Sequence, residues 1–179
     1  MTGKQTTDRA WAPDPAATNR RTHPLAYVLT GGLVVGTLDL VFAMTFWAWR
    51  ADLPAFRILQ GVAAGLLGPA AFEGGLQTGI LGLTLHFLIA MSMAVAYYAA
   101  ARRWSLLWMR PVAWGTAYGL LLYVIMNVVV VPLSAATASD DPLWVLASIG
   151  VHAFLIGMPI ALFVRQGILQ DAADGSRRD

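Results

Sequence analysis

The stretch that most constrains the fold runs from Leu25 to Ala48, because it is apolar and long enough to cross a bilayer and yet carries an acidic residue, Asp39. A transmembrane helix needs about 20 predominantly apolar residues. An ionised carboxylate in hydrocarbon is costly, so such a side chain normally faces protein, a partner group or water. The sequence therefore predicts a membrane helix whose Asp39 has a polar partner elsewhere in the chain.

The composition agrees with a membrane protein. Of the 179 residues, 58% are hydrophobic and only 12% are charged, whereas about 25% of the residues of a soluble domain are charged. Cysteine is absent, which excludes disulfides, thiolate metal sites and cysteine nucleophiles. The net charge of +2 gives no reason to expect a nucleic-acid partner. The partner that the composition indicates is the lipid bilayer.

Four segments have the length of a membrane span, namely residues 25–48, 77–101, 111–131 and 143–164. Together they predict one transmembrane domain over residues 25–165, flanked by polar tails at 1–24, which we expect to be disordered, and at 166–179. The apolar segment 55–72 is shorter than about 20 residues and is interrupted by Gln60, Gly68 and Pro69. The predicted fold is an all-α four-helix membrane bundle with a short re-entrant or interfacial helix at 55–72.

The basic residues predict the orientation of the bundle. With four spans, one side of the membrane would carry only two of the twelve Lys and Arg residues, Arg50 and Arg57. The other ten are Lys4, Arg9, Arg20, Arg21, Arg102, Arg103, Arg110, Arg165, Arg177 and Arg178. Because cytoplasmic loops carry the excess of positive charge, both termini are expected in the cytoplasm. A fifth span at 55–72 would reverse the side of Arg102, Arg103 and Arg110, and we reject it for that reason.

Each span carries one polar residue that is difficult to place in lipid: Asp39, His86, Asn127 and His152. Measured from the predicted cytoplasmic ends, these residues lie roughly 18 to 24 Å into the membrane. They are therefore predicted to meet in one layer. Asp39, His86 and His152 would form the site itself. The residues predicted to surround and support these three side chains are Asn127, Ser148 and Tyr123.

The trio Asp39, His86 and His152 is open to several interpretations. Imidazole and carboxylate ligands suit a divalent transition metal such as Zn or Cu. The same groups can form a proton relay, since imidazole changes its charge near neutral pH. The third interpretation is structural, with the three side chains only holding the bundle together. Bis-histidine haem ligation is conceivable, but nothing else in the sequence marks a haem site.

Two further features surround this layer. Gln60 lies within the 55–72 segment, and Glu73 and Gln77 follow it. The three are either interfacial polar residues or a gate at the mouth of the site. Glycines spaced four residues apart predict close helix packing, within the subunit, between copies in a homo-oligomer, or against a larger membrane complex. These pairs are Gly32/Gly36, Gly61/Gly65, Gly75/Gly79 and Gly115/Gly119.

No G-x-S-x-G, H-E-x-x-H, P-loop or dinucleotide fingerprint occurs, so no catalytic residue is assigned. Three functional classes stay open. The first is a small channel, transporter or sensor that binds or conducts protons or a divalent metal at the trio. The second is a non-catalytic accessory subunit of a larger membrane complex. The third is a metal-dependent intramembrane enzyme acting on a lipid or quinone.

Several positions also carry a family resemblance. These are Gly36 to Leu40, Leu85 to Phe87, Ala94, Tyr97 and Tyr98, Met126 to Leu133, and Ser148 with His152 and Gly157. In this order, over about residues 30–160, the chain resembles small bacterial inner-membrane proteins of the YagU-like family. The resemblance implies a four-helix inner-membrane protein in which the Asp and the two His positions recur as a set. It implies no biochemical activity.

Overall fold

The structure, a computed structural model, describes residues 24–176 apart from the side chain of Asp174, and the secondary structure of this part of the chain is all helical, with no strand in it. The predicted N-terminal tail, apart from Pro24, lies outside the described residues. The helices are α1 (Pro24–Ala51), α2 (Ala55–Leu67), α3 (Gly75–Ala101), α4 (Ser105–Met109), α5 (Pro111–Leu133) and α6, which begins at Pro142 and ends at Gly175. A 3₁₀ turn, Gly68–Phe72, follows α2.

Five helical segments of this part of the chain are long and apolar enough to cross a membrane. They are Pro24–Ala51, Ala55–Phe72, Gly75–Ala101, Pro111–Leu133 and Pro142–Ala173. A helix satisfies its backbone hydrogen bonds internally, which is the condition for crossing hydrocarbon. The protein is therefore a helical membrane protein, as the composition predicted.

Two boundaries differ from the predicted ones. The last helix does not give way to a tail at residue 166 but continues to Gly175, and Gly167 packs there against Pro24 and Tyr27 of α1. The loop between the second and third predicted spans contains the short helix α4. The hydroxyl of Tyr97 donates a hydrogen bond to the carbonyl oxygen of Leu107 in α4, at 3.0 Å. These tertiary contacts extend the helical structure where hydropathy alone ended it.

Local signals explain where the helices start and stop. The carboxylate of Asp141 accepts hydrogen bonds from the backbone N–H groups of Leu143 and Trp144, at 2.9 and 3.2 Å, and Pro142 occupies the first helical position of α6. At the end of α2, Gly68 has φ 63° and ψ −154°, a conformation that residues with a side chain avoid. The chain therefore changes direction at Gly68.

Prolines widen one stretch in each of α5 and α6. The backbone is π-helical at Met126–Val130, just before Pro132, and at His152–Gly157, just before Pro159. Proline has no N–H, and its ring collides with the carbonyl group four residues earlier. That carbonyl belongs to Val128 in α5 and to Leu155 in α6, which both lie in the widened turns. Pro132 is thus accommodated within the helix, and α5 ends only at Leu133.

Helix α1 is antiparallel to both α3 and α6. Against α3, Gly32 packs on Met91 and Gly36 on Phe87, so residue numbers rise on one helix as they fall on the other. Against α6, the corresponding contacts are Gly31 with Phe163, Phe46 with Trp144, and an ion pair of 3.0 Å between Arg50 and Asp141. The end of α1 and the start of α3 therefore lie at the same end of the bundle, the α2 end. The opposite end, which carries α4, is called the α4 end.

Helices α5 and α6 approach each other through backbone atoms. A Cβ at Gly119 would overlap the carbonyl group of His152, and a Cβ at Gly157 would overlap the backbone of Gly115 and Gly119. In α3, Gly82 meets the backbone of Leu59 in α2 in the same way. Such contacts bring helices closer than side chains allow. These glycines pack within the subunit, whereas a Cβ at Gly61 would meet open space.

The main apolar core fills the half of the bundle toward the α4 end. Its buried members are Val28, Val35, Ala90, Ala94, Tyr97, Ala101, Leu122, Val151, Ile156, Ile160, Ala161 and Val164. The described residues contain three buried polar side chains, and all lie in the other half: Gln60, Thr78 and Ser148. Tryptophans mark both ends, with Trp47, Trp49 and Trp144 at the α2 end and Trp104, Trp108 and Trp114 at the α4 end. The two halves of the bundle therefore differ in polarity.

Candidate functional site

Asp39 lies on the face of α1 that packs into the bundle. It follows the buried Val28, Gly32 and Val35 at helical spacing and precedes the buried Phe46. Its side chain is only partly buried, unlike these neighbours. No hydrogen bond to its carboxylate occurs within residues 24–176, so the partner that the sequence called for must act at longer range.

His86 likewise lies on the buried face of its helix, α3, one turn after the buried Gly82 and one turn before the buried Ala90. Its Nε2 lies 2.8 Å from the carbonyl oxygen of Gly36 in α1. A carbonyl oxygen can only accept a hydrogen bond, so Nε2 carries the hydrogen. Gly36 permits this contact, because a Cβ there would lie 2.9 Å from the Phe87 ring and push α3 away. In the neutral ring, Nδ1 is left with its lone pair.

His152 is held in the same manner on α6, but through the other ring nitrogen. Its Nδ1 lies 2.9 Å from the carbonyl oxygen of Ser148, one turn earlier, while the Ser148 hydroxyl is 3.5 Å away. The edge of the ring meets Tyr123 of α5, with ring centres 5.5 Å apart and planes at 82°. Nδ1 therefore carries the hydrogen, and Nε2 keeps the lone pair.

The two imidazoles and the carboxylate lie at one level of the bundle. His86 reaches Gly36, which is three residues before Asp39 on α1. Interpolated along the antiparallel contacts of α1 and α6, Asp39 lies opposite the turn that begins at His152. The Asp39 carboxyl interacts electrostatically with both rings, and more strongly with His152 than with His86. Three separate helices thus bring these groups within electrostatic range.

This arrangement does not form a metal centre. Within residues 24–176, no three His, Asp or Glu side chains lie close enough together to hold one ion. Asp39, His86 and His152 are each partly exposed rather than enclosed. The ligand set expected for Zn or Cu is therefore not assembled in this part of the chain.

Asn127 does not join the layer that the sequence predicted. Its side chain is exposed, and its amide donates a hydrogen bond to the carbonyl oxygen of Tyr123 on the same helix, at 2.9 Å. Gly119 is the α5 residue opposite His152, so Asn127 lies eight residues, or about 12 Å, further toward the α2 end. The number of residues to a predicted helix end gave the wrong depth for Asn127, because this estimate assumes that all the helices start at the same depth in the membrane.

The three residues predicted as a gate have different surroundings. Gln60 is buried between α2 and α3, where its amide donates a hydrogen bond of 3.4 Å to the hydroxyl of Thr78. Glu73 and Gln77 are exposed. Gln60 thus contributes to packing between α2 and α3, and the gate stays a prediction.

Sequence reasoning missed the two groups that orient the imidazoles, namely the backbone carbonyls of Gly36 and Ser148. Ser148 was predicted as a partner of the trio, and its hydroxyl also lies 3.5 Å from Nδ1 of His152. A glycine three residues before Asp39 was the available signal, because a helical glycine leaves its own backbone open to a neighbouring side chain.

No protein-family model matches the chain, and no curated protein or solved structure matches it either. The resemblance to the YagU-like family stays a prediction.

Proposed function

We propose that the chain is a four-span inner-membrane protein that binds protons reversibly at Asp39, His86 and His152 and acts as a proton-responsive sensor or switch. The observation that carries this proposal is the pair of imidazoles, each fixed by one nitrogen to a carbonyl oxygen, at the level of one carboxylate. The site would respond to pH because imidazole is the side chain that changes charge between about pH 5 and 8.

The chemistry follows from the fixed tautomers. In the neutral rings, Nδ1 of His86 and Nε2 of His152 have lone pairs that can accept a proton. Proton uptake turns each ring into a cation, and the nearby Asp39 carboxylate stabilises that cation. Asp39 is thereby given the polar partner that a carboxylate within a membrane requires. The charge of the site then changes the attraction of α1 for α3 and α6.

The polarity of the bundle supports access from one side. Between the site and the α4 end, the core is apolar, including Val35, Ile156 and Ile160. The buried polar side chains of the described residues lie on the other side, toward α2. Protons therefore exchange with the α2 end, and the packed apolar half opposes their passage through the bundle.

Nitrogen-15 NMR of histidine-labelled protein in lipid nanodiscs tests the site directly. The chain has three histidines, and the variants His86→Gln and His152→Gln assign the two of interest. At pH 9 we expect His86 to carry hydrogen on Nε2 and His152 on Nδ1, and both rings to become charged as the pH falls to 5. Asp39→Asn, which removes the carboxylate that interacts with both rings, is expected to change both titrations measurably. The opposite tautomers, or titrations unchanged by Asp39→Asn, would overturn the proposal.

Asn127→Ala is the matched control, because Asn127 lies on a neighbouring span but outside the site. Its titrations should equal those of the wild-type protein. A proton-flux assay then examines access from one side. Liposomes that contain the protein and a trapped pH dye should leak protons no faster than empty liposomes. If the wild-type protein leaked protons and Asp39→Asn abolished the leak, the site would conduct protons across the membrane rather than bind them from one side.

The proposed topology has four spans, with α2 entering and leaving the membrane on the same side. Since α1 and α3 are antiparallel, Ala51 and Gly75 lie at the same end of the bundle, and the segment between them starts and finishes there. Arg57 near the start of α2 supports this path. Its guanidinium donates a hydrogen bond of 3.4 Å to the carbonyl oxygen of Phe72 and lies 4.5 Å from the centre of that ring. The excess of basic residues at the α4 end favours a cytoplasmic location for that end.

Single cysteines test this topology, because the natural chain has none. In intact cells, a membrane-impermeant thiol reagent should label Asp52→Cys, Glu73→Cys and Ser139→Cys. Arg103→Cys should react only after the membrane is opened. Labelling of Asp52→Cys and Glu73→Cys from opposite sides would show that the 55–72 segment crosses the membrane and would refute the four-span proposal.

A further inference from the structure

A second polar site lies at the α4 end, far from Asp39. Helices α3, α4 and α6 surround a pocket of about 200 Å³. Its lining residues are Tyr98, Ala101, Arg102, Trp108, Ile168 and Asp171. The pocket is smaller than the roughly 300 Å³ at which sites for drug-sized ligands begin. It can therefore take a small polar group but not a whole lipid or cofactor.

The pocket presents one positive and one negative group. Arg102 and Asp171 are both exposed and interact electrostatically. Among the described side chains, the one ion pair joins Arg50 and Asp141, so Arg102 and Asp171 do not form one. The two charges therefore face a shared space without neutralising each other by contact.

The walls of the pocket are held in place by hydrogen bonds. The guanidinium of Arg102 donates to the hydroxyl of Tyr98 at 3.3 Å and lies 5.9 Å from the centre of that ring. This leaves most of its N–H donors available. On the other wall, the hydrogen bond from Tyr97 to Leu107 fixes α4 and, with it, Trp108. Arg102 and Trp108 are thus positioned before a ligand arrives.

The depth of the pocket in the membrane identifies the kind of ligand. Trp104, beside the pocket, is highly exposed, and tryptophans concentrate where hydrocarbon meets the lipid headgroups. We propose that the pocket binds the headgroup of a phospholipid that carries a phosphate and a primary ammonium group, as in phosphatidylethanolamine. The phosphate lies against Arg102 and the ammonium against Asp171.

Other headgroups fit the two charges less well. An anionic headgroup without an amine would satisfy Arg102 but would leave Asp171 near a like charge. A choline headgroup has the correct charges, but its quaternary nitrogen has no N–H to donate to the Asp171 carboxylate. The order of preference is therefore ethanolamine over choline and over glycerol headgroups.

Native mass spectrometry of the full chain, released from nanodiscs with equal amounts of the three phospholipids, tests this order. We expect the ethanolamine lipid to be retained at least about tenfold more than either competitor. Arg102→Gln and Asp171→Asn should each remove this preference, while Arg103→Gln, the neighbouring arginine that does not line the pocket, should keep it. Thermal unfolding of each variant establishes that it is folded.

Two outcomes would overturn the proposal. One is equal retention of the three lipids, or the same loss in Arg103→Gln as in Arg102→Gln. The other is displacement of the lipid by soluble glycerophosphoethanolamine at equal concentration, which would assign the pocket to a soluble ligand. Neither outcome bears on Asp39, so failure here leaves the proposed proton site standing.

Discussion

Replacing Gly119 by alanine tests the close approach of α5 and α6. The added Cβ would lie 2.6 Å from the carbonyl carbon of His152 and 2.8 Å from Cα of Ala153, whereas ordinary contact begins at 3.4 Å. Backbone atoms cannot rotate away as a side chain can, so the helices must separate. Overpacking of this kind costs about 1–3 kcal/mol. Alanine recovers part of that cost, about 0.5–1 kcal/mol, because it favours a helix more than glycine does.

The net expectation is a loss of up to about 2.5 kcal/mol in the free energy of unfolding, or a melting temperature lower by up to about 10 °C for a chain of this size. Thermal unfolding followed by circular dichroism in one detergent measures it. Gly150→Ala is the matched control, because it is also a helical glycine but its Cβ would meet nothing within 4 Å. That variant should be more stable than the wild-type protein by about 0.5–1 kcal/mol. Equal melting temperatures for the two variants would refute the packing described for α5 and α6.

Three further substitutions are expected to change stability in the same assay. Tyr118→Phe removes a 2.8 Å hydrogen bond to the carbonyl oxygen of Met93 and should lower the free energy of unfolding by about 0.5–1.5 kcal/mol. Tyr123→Phe is its control and should lower it less, since the Tyr123 hydroxyl has no hydrogen-bond partner in the described part of the chain. Asp141→Ala removes both the N-cap of α6 and the ion pair with Arg50, and should cost about 1–2 kcal/mol of stability. Asp141→Asn keeps a capping oxygen and should cost less than about 1 kcal/mol. Equal losses for the two variants would contradict the capping role. Gly68→Ala, at φ 63°, should cost about 1–3 kcal/mol through backbone strain, and a neutral result would argue against the sharp turn after α2.

Hydropathy was sufficient for the helices because each apolar segment must satisfy its backbone within itself. All four predicted spans lie inside α1, α3, α5 and α6. Hydropathy was not sufficient to predict where the helices end. Residues 166–175 lack the hydropathy of a span, yet they are helical, and Gly167 and Ile168 pack there against α1 and the core. Side-chain composition does not reveal a contact between elements so distant in sequence.

For the site, Asp39 and His86 both follow small residues at helical spacing, and both side chains are half-buried in the structure. Spacing could not predict the depth of Asn127, because depth depends on tilt and on the packing of Gly119 against His152. Nor could it predict that each ring would turn to a backbone carbonyl oxygen. For His86 this contact depends on how α1 and α3 pack, which neither helix encodes alone. For His152 the carbonyl belongs to Ser148 on the same helix, so the spacing of four residues was the available signal.

The widened turns before Pro132 and Pro159 affect how the bundle deforms. Each turn gives up the regular hydrogen bonding that makes a helix resist bending, so α5 and α6 each contain a joint. One joint lies near the α2 end of α5, and the other starts at His152 itself. When force is applied across the membrane, we expect α5 to flex at its widened turn, Met126–Val130, which lies beyond its glycine contacts with α6. The widened turn of α6 packs against Gly115 and Gly119, so His152 should keep its place while the end of α5 moves.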